Sequence, residues 1–198
     1  LLQVVAMRNR RALSGPAVVV EGEPAPPFAA LEAEAIERLV PGSVVFRNVP
    51  DLARISDALR DAAILHLVAH TSAGTSGRQG RWLRLGPGRS ARIDIRTILS
   101  FPVVPEMVVL SGCSTAAGYD GGLDLARAFL SKGARLVLGT LWQVSGAAGS
   151  MLVKRFYREL ERHGPLVALR KAMDVTRRYY SHPVYWSGFA LMGYGFGR

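Results

Sequence analysis

Ala63-Ile64-Leu65-His66-Leu67-Val68-Ala69-His70-Thr71 and Met107-Val108-Val109-Leu110-Ser111-Gly112-Cys113-Ser114-Thr115 decide the reading of this chain. Each begins as a short, nearly continuous apolar run and ends in small or polar residues. Runs of that length and continuity are strands buried on both faces, because a strand with one wet face would alternate. Outward from them, Ala17-Val18-Val19-Val20, Ser43-Val44-Val45-Phe46 and residues 134–138 read the same way, and residues 185–192 form a last strand. Trp82-Leu83-Arg84-Leu85 reads as an edge hairpin strand inside a Gly/Ser/Arg-rich connection, residues 71–92.

Helical patterns fill the gaps. Phe28, Leu31, Ala35, Ile36 and Leu39 recur at helical spacing, as do Leu52, Ile55 and Leu59. Residues 93–99 and 123–130 are short helices, with Gly133 placed as a C-terminal cap. Helices over about 147–162 and 165–180 follow, the second with Pro165 in its first turn. The stretch Gly146-Ala147-Ala148-Gly149 reads as a loop before the first of them. Buried strands alternating with helices give an α/β fold, a mostly parallel sheet of about six strands with helices on both faces. In such sheets working groups collect beyond the carboxyl ends of the strands.

His70 follows one strand and Cys113 the next, at equivalent ends. Adjacent strands lie about 4.8 Å apart, so the two side chains can meet. A thiol beside an imidazole is a nucleophile with its base, because a modest shift yields thiolate near neutral pH. Cys113 is the only cysteine among 198 residues. No internal disulfide is possible, and a reducing, cytoplasmic compartment is expected. His66 and His70 would be about 13 Å apart along a strand, too far to share a metal ion; His66 reads as structural. His163 beside Gly164 and His182 before Pro183 have no catalytic context. Gly112-Cys113-Ser114-Thr115-Ala116 loosely fits a serine elbow, but Gly118, Gly121 and Gly122 delay the helix an elbow should enter at once. Neither a Walker A sequence nor a strand-to-helix Gly-x-Gly-x-x-Gly occurs, so nucleotide binding has no support.

Composition narrows the classes further. The chain is 49% hydrophobic, enough to bury a core, which excludes disorder as its main theme. Its 25 Lys+Arg against 15 Asp+Glu give a charge of +10. Arg outnumbers Lys 22 to 3, a bias that a GC-rich genome also produces. Lys154, Arg155, Arg158 and Arg162, then Arg170, Lys171, Arg177 and Arg178, fall on the polar sides of two helices. A solvated face explains them, and nucleic acid is not expected as a partner. Residues 136–153 carry no charge, but Gly, Thr, Gln and Ser interrupt them, and no membrane span is expected. The opening residues put the apolar run before the basic ones, the wrong order for a secretory signal. The chain does not start with Met, so we expect residues 1–198 to be one domain from the C-terminal part of a longer chain, with 1–16 as a linker or the end of an upstream region.

The blocks Ile64-Leu65-His66-Leu67-Val68-Ala69-His70, Val108-Val109-Leu110-Ser111-Gly112-Cys113-Ser114-Thr115-Ala116 and Leu123-Asp124-Leu125-Ala126-Arg127-Ala128-Phe129-Leu130 resemble the CHAT family. So do Gly139-Thr140-Leu141-Trp142, Phe156-Tyr157, Ala168-Leu169-Arg170 and Tyr185-Trp186-Ser187-Gly188-Phe189, over about residues 17–195. CHAT proteins are caspase-like peptidases often fused to tetratricopeptide repeats. The resemblance implies a caspase-like fold and a His70–Cys113 dyad. It implies an oxyanion hole from the backbone N–H groups of Cys113 and Thr71. It also implies that Thr140, Leu141, Trp142, Gln143 and Val144 line the substrate cleft as an extended edge that pairs with a peptide main chain.

Two positions depart from the family pattern: Thr71 stands where Gly is usual, and Ser114 where Glu is usual. Asp120 and Asp124 are then candidate pocket acids. The expected function is a cysteine endopeptidase without metal or organic cofactor, acting on a specific protein in bacterial immune signalling or defence. An upstream repeat or regulatory region and a gasdermin-like target follow by analogy alone. The rivals are an inactive caspase-like interaction module and a basic nucleic-acid-binding domain.

Overall fold

The computed structural model describes residues 13, 15–48, 51–73, 81–88, 91–112 and 125–194. The elements run β1 (Ala17–Glu21), α1 (Ala29–Leu39), β2 (Val44–Phe46), α2 (Leu52–Ala58), β3 (Ile64–Val68), β4 (Thr71–Ala73), β5 (Arg81–Arg84), β6 (Arg92–Ile93), α3 (Ile95–Ser100), β7 (Met107–Ser111), α4 (Leu125–Lys132), β8 (Leu136–Thr140), α5 (Gly146–Leu160), α6 (Pro165–Tyr179) and β9 (Phe189–Gly193). Six strands form the main sheet in the order β2-β1-β3-β7-β8-β9, parallel except for β9. This is the mostly parallel six-stranded α/β sheet expected from the apolar runs.

The period of two along each strand divides the core. Val18, Val20, Leu65, Leu67, Val108, Leu110 and Val137 face one side, against Ile55, Ile98 and Phe129 of α2, α3 and α4. Val19, Ile64, Met107, Val109, Leu136 and Leu138 face the other, against α1, α5 and α6. Burying one such Leu, Ile or Phe contributes about 1.5–3 kcal/mol, so the two layers dominate the fold's stability. Gly133 ends α4 with φ +114°, and the Ala134 N–H returns to Phe129 O, the cap its position predicts.

Three local readings change. A second, antiparallel sheet, β4-β5-β6, stands beyond the carboxyl end of β3, and β5 is its middle strand rather than an edge. Residues 183–185 form a 3-10 turn, so the last strand starts only at Phe189. Gly146 to Gly149 begin α5 instead of forming a loop: the Gly149 N–H already bonds Ser145 O at 2.8 Å. The small residues serve contact there, since a Cβ on Gly146 would stand 3.3 Å from the Phe28 ring.

Candidate active site

The cleft opens where the α1/α5 face of the sheet meets its carboxyl edge. β3 gives Val68, Ala69 and His70; β7 gives Ser111 and Gly112; β8 gives Thr140. The loop from β8 and the start of α5 close one side with Gln143, Val144 and Ser145, and Phe28 and Glu32 at the start of α1 close the other. Its volume is about 460 Å³, the size of a small-ligand or side-chain pocket.

Close backbone approach fixes the mouth. A Cβ at Gly112 would stand 2.7 Å from Ala69 O and 2.9 Å from Thr71 Oγ1, so only glycine lets the end of β7 sit against the β3–β4 connection. Thr140 Oγ donates to Gly112 O at 2.6 Å and ties β8 to the same point. His70 O accepts from the Arg84 N–H at 2.9 Å, which makes Thr71–Leu83 the pair without ladder hydrogen bonds. The Thr71 N–H therefore points away from β5. Thr71 is extended; Phe28 and Asn48 are the non-glycine residues with positive φ among those described. Threonine in place of glycine costs no backbone strain at that position.

Beneath the cleft lies a buried polar cluster. Ser111 Oγ donates to Glu32 Oε2 at 2.8 Å. His66 Nε2 lies 3.3 Å from the same oxygen, off the line of a hydrogen bond. His66 Nδ1 is 3.2 Å from the Tyr157 hydroxyl, and the rings meet edge to face. Burial, with the Glu32 charge adding to it, holds the Tyr157 hydroxyl well above its ordinary value, so it stays protonated as a donor.

Of the residues singled out in the sequence, His70, Thr140, Gln143 and Val144 line the cleft, and Thr71 opens β4 beside it. Leu141 and Trp142 do not line it. The Leu141 N–H is held by Gly188 O at 2.8 Å, and Trp142 Nε1 donates to Val184 O at 3.0 Å while its ring covers Gly188. Cys113, Ser114, Asp120 and Asp124 lie outside the described residues. The sequence reading passed over Phe28, Glu32, Ser111 and Ser150. One signal pointed to Glu32: it stands four residues from both Phe28 and Ile36, on the apolar stripe of α1.

Sheet order, crossing helices and a cleft at the strand ends define a caspase-like α/β domain with the fold of cysteine peptidases. The chain belongs to the CHAT domain family, whose sequence model matches residues 5–194. Mouse tetratricopeptide repeat protein 28 is 38% identical over 113 residues, 54% of this chain, and the human protein of that name is 43% identical over 97 residues, 46% of this chain. The chain covers only 5% and 4% of the lengths of these relatives. Among solved structures, the Arg-specific cysteine proteinase gingipain R superposes with a TM-score of 0.66 at 11% identity, covering 93% of this chain and 47% of that one. The Saccharomyces cerevisiae separase–securin complex superposes with a TM-score of 0.63 at 16% identity, covering 93% of this chain and 12% of that one. Both likenesses concern the fold. Among the described residues, no helix is long and apolar enough to cross a membrane.

Proposed function

We propose that the chain is a cysteine endopeptidase with a His70–Cys113 dyad. The observation that carries this is the position of His70 on a cleft at the carboxyl edge of the sheet. Val68 pairs with Ser111. The strands that precede His70 and Cys113 in the sequence are therefore neighbours in the sheet.

Cys113 attacks the scissile carbonyl as thiolate and forms the C–S bond, while the carbonyl electrons move to oxygen. His70 supplies the proton on which the amine leaves. Water then attacks the acyl-enzyme, gives its proton to His70 and releases the acid. The oxyanion is held by the Cys113 N–H and the Thr71 N–H, which the β4–β5 ladder leaves unused. The natural substrate is a specific protein, and the repeats named for the mammalian relatives fit a repeat region fused to this domain; a bacterial defence role with a gasdermin-like target rests on analogy alone.

The test is Cys113→Ala and His70→Ala against the unaltered chain, on candidate proteins and with a peptidyl electrophile. Each variant is expected to lose at least a thousandfold in kcat/KM, and Cys113→Ala all covalent labelling. Equal cleavage by Cys113→Ala and the unaltered chain would sink the reading. Folded protein that neither cleaves nor labels favours the interaction module, for which the departures at Thr71 and Ser114 are the motive.

A further inference from the structure

In a chain of charge +10, no Arg or Lys stands among the described residues that line the cleft. The ionisable side chains on that lining are His70 at the mouth and Glu32 on the wall. Glu32 is 4% exposed, and its described contacts all run through Oε2. Among the described residues no hydrogen bond or ion pair reaches Oε1. Ser150 is 2% exposed, lines the same cleft, and its Oγ has no hydrogen-bond partner. The remaining wall is largely apolar, from Phe28, Val68, Val144 and Phe189.

We propose that this cleft is the specificity pocket of the peptidase described above, taking the Arg or Lys side chain that precedes the scissile bond, with Glu32 Oε1 as its counter-charge. The inference rests on the peptidase reading of the site. The chemistry is that of an amphipathic side chain. Three or four methylenes need an apolar wall, and the charged head needs an acceptor at the far end. A carboxylate oxygen and a hydroxyl supply two acceptors for a guanidinium or ammonium, and bonds to such a head are about twice as strong as neutral ones. A leucine in the pocket would leave both groups dry and unpaired. An aspartate would face a like charge, and could use only the start of α5, whose first turn carries no acid.

The first measurement compares kcat/KM for five peptides that differ only before the scissile bond: Arg, Lys, citrulline, Leu and Asp. Arg and Lys should exceed citrulline and Leu by about 10- to 100-fold. Glu32→Gln should bring Arg down to citrulline. Citrulline, Leu or Asp cleaved as well as Arg overturns the inference and leaves the peptidase reading intact. The second measurement needs neither turnover nor a folded Glu32 variant. The Cys113→Ala chain is titrated calorimetrically with butylguanidinium, which has no second charge, and with its neutral counterpart, butylurea. Butylguanidinium should bind at least about tenfold more tightly. Equal affinity, or no binding of either, overturns the inference. If butylguanidinium is preferred and none of the five peptides is cut, the pocket stands and the peptidase reading falls.

Discussion

Tyr157 and His66 are both fully buried, and each holds a polar atom that the core would otherwise leave dry. Deleting one partner strands the other. Tyr157→Phe leaves His66 Nδ1 without its 3.2 Å partner and should cost about 1–2 kcal/mol in urea unfolding at pH 8. The difference depends on pH, and its sign follows from the direction of the Tyr157 shift. The hydroxyl is held well above 10 in the fold, by burial first and the Glu32 charge second. In the unfolded chain it ionises near pH 10. Above about pH 10 the unfolded state thus binds fewer protons than the folded state, and stability falls as pH rises. The gap between the unaltered chain and Tyr157→Phe should therefore be full below pH 10 and shrink above it. Equal pH slopes for the two proteins between pH 10 and 11.5 would show that Tyr157 is not the group responsible.

At the scale of elements, the strands of the main sheet were legible because each is an apolar run that no helix of that length could satisfy. β4 and β6 were not: they have three and two residues inside or at the end of a Gly/Ser/Arg-rich stretch, where only pairing in space makes a strand, and β5 was read as an edge because neither partner was visible. Glu32 was missed for a related reason. On α1 it looks like an ordinary acid in a first turn, and its partner Ser111 is 79 residues away. The stripe read for α1 was also rotated: Phe28 and Leu31 are exposed, while Ala29, Glu32, Ala33 and Ile36 are buried. Where the second sheet meets α3, Asp94 is the helix cap. Its carboxylate accepts the Thr97 N–H at 2.9 Å and pairs with Arg92 at 3.0 Å. Partial burial raises its pKa, but the Thr97 hydrogen bonds and the Arg92 charge outweigh that and leave it below the ordinary value. Asp94→Ala should cost about 1 kcal/mol at pH 7. A carboxyl depressed in the fold stabilises above its unfolded pKa, near 3.9, and loses that contribution as pH falls through its folded pKa. The cost of Asp94→Ala should thus diminish in urea melts taken from pH 5 down to pH 3, and a constant cost would assign it to packing.

For the whole molecule the question is what a charge of +10 is for. The described cations are spread over many elements and often paired locally. Arg47 meets Glu21, Arg92 meets Asp94, Arg135 meets Glu106, Arg155 meets Glu159, and Arg177 meets Asp174. Arg177–Asp174, exposed on both sides, contributes little to stability, about 0–1 kcal/mol, whereas Glu21 and Glu159 are buried partners; all these acids quench the local field that a phosphate backbone would need. A protein that tracks nucleic acid neutralises six to ten phosphates along one surface, and its affinity collapses steeply with salt. Here the excess sits on solvated helix faces, as at Arg158, Arg170 and Arg178, and in the turn at Arg162. Fluorescence anisotropy with a labelled duplex and a labelled single strand should therefore give dissociation constants near the weak end of non-specific binding, about 10⁻⁴ M at 150 mM salt. The log–log salt dependence should have a slope no steeper than about −3. A constant below about 10⁻⁶ M with a slope of −6 or steeper would require a continuous basic track. Such a track is at odds with ion pairs distributed over elements on opposite faces of the sheet, so this measurement separates a charged surface from a charged site.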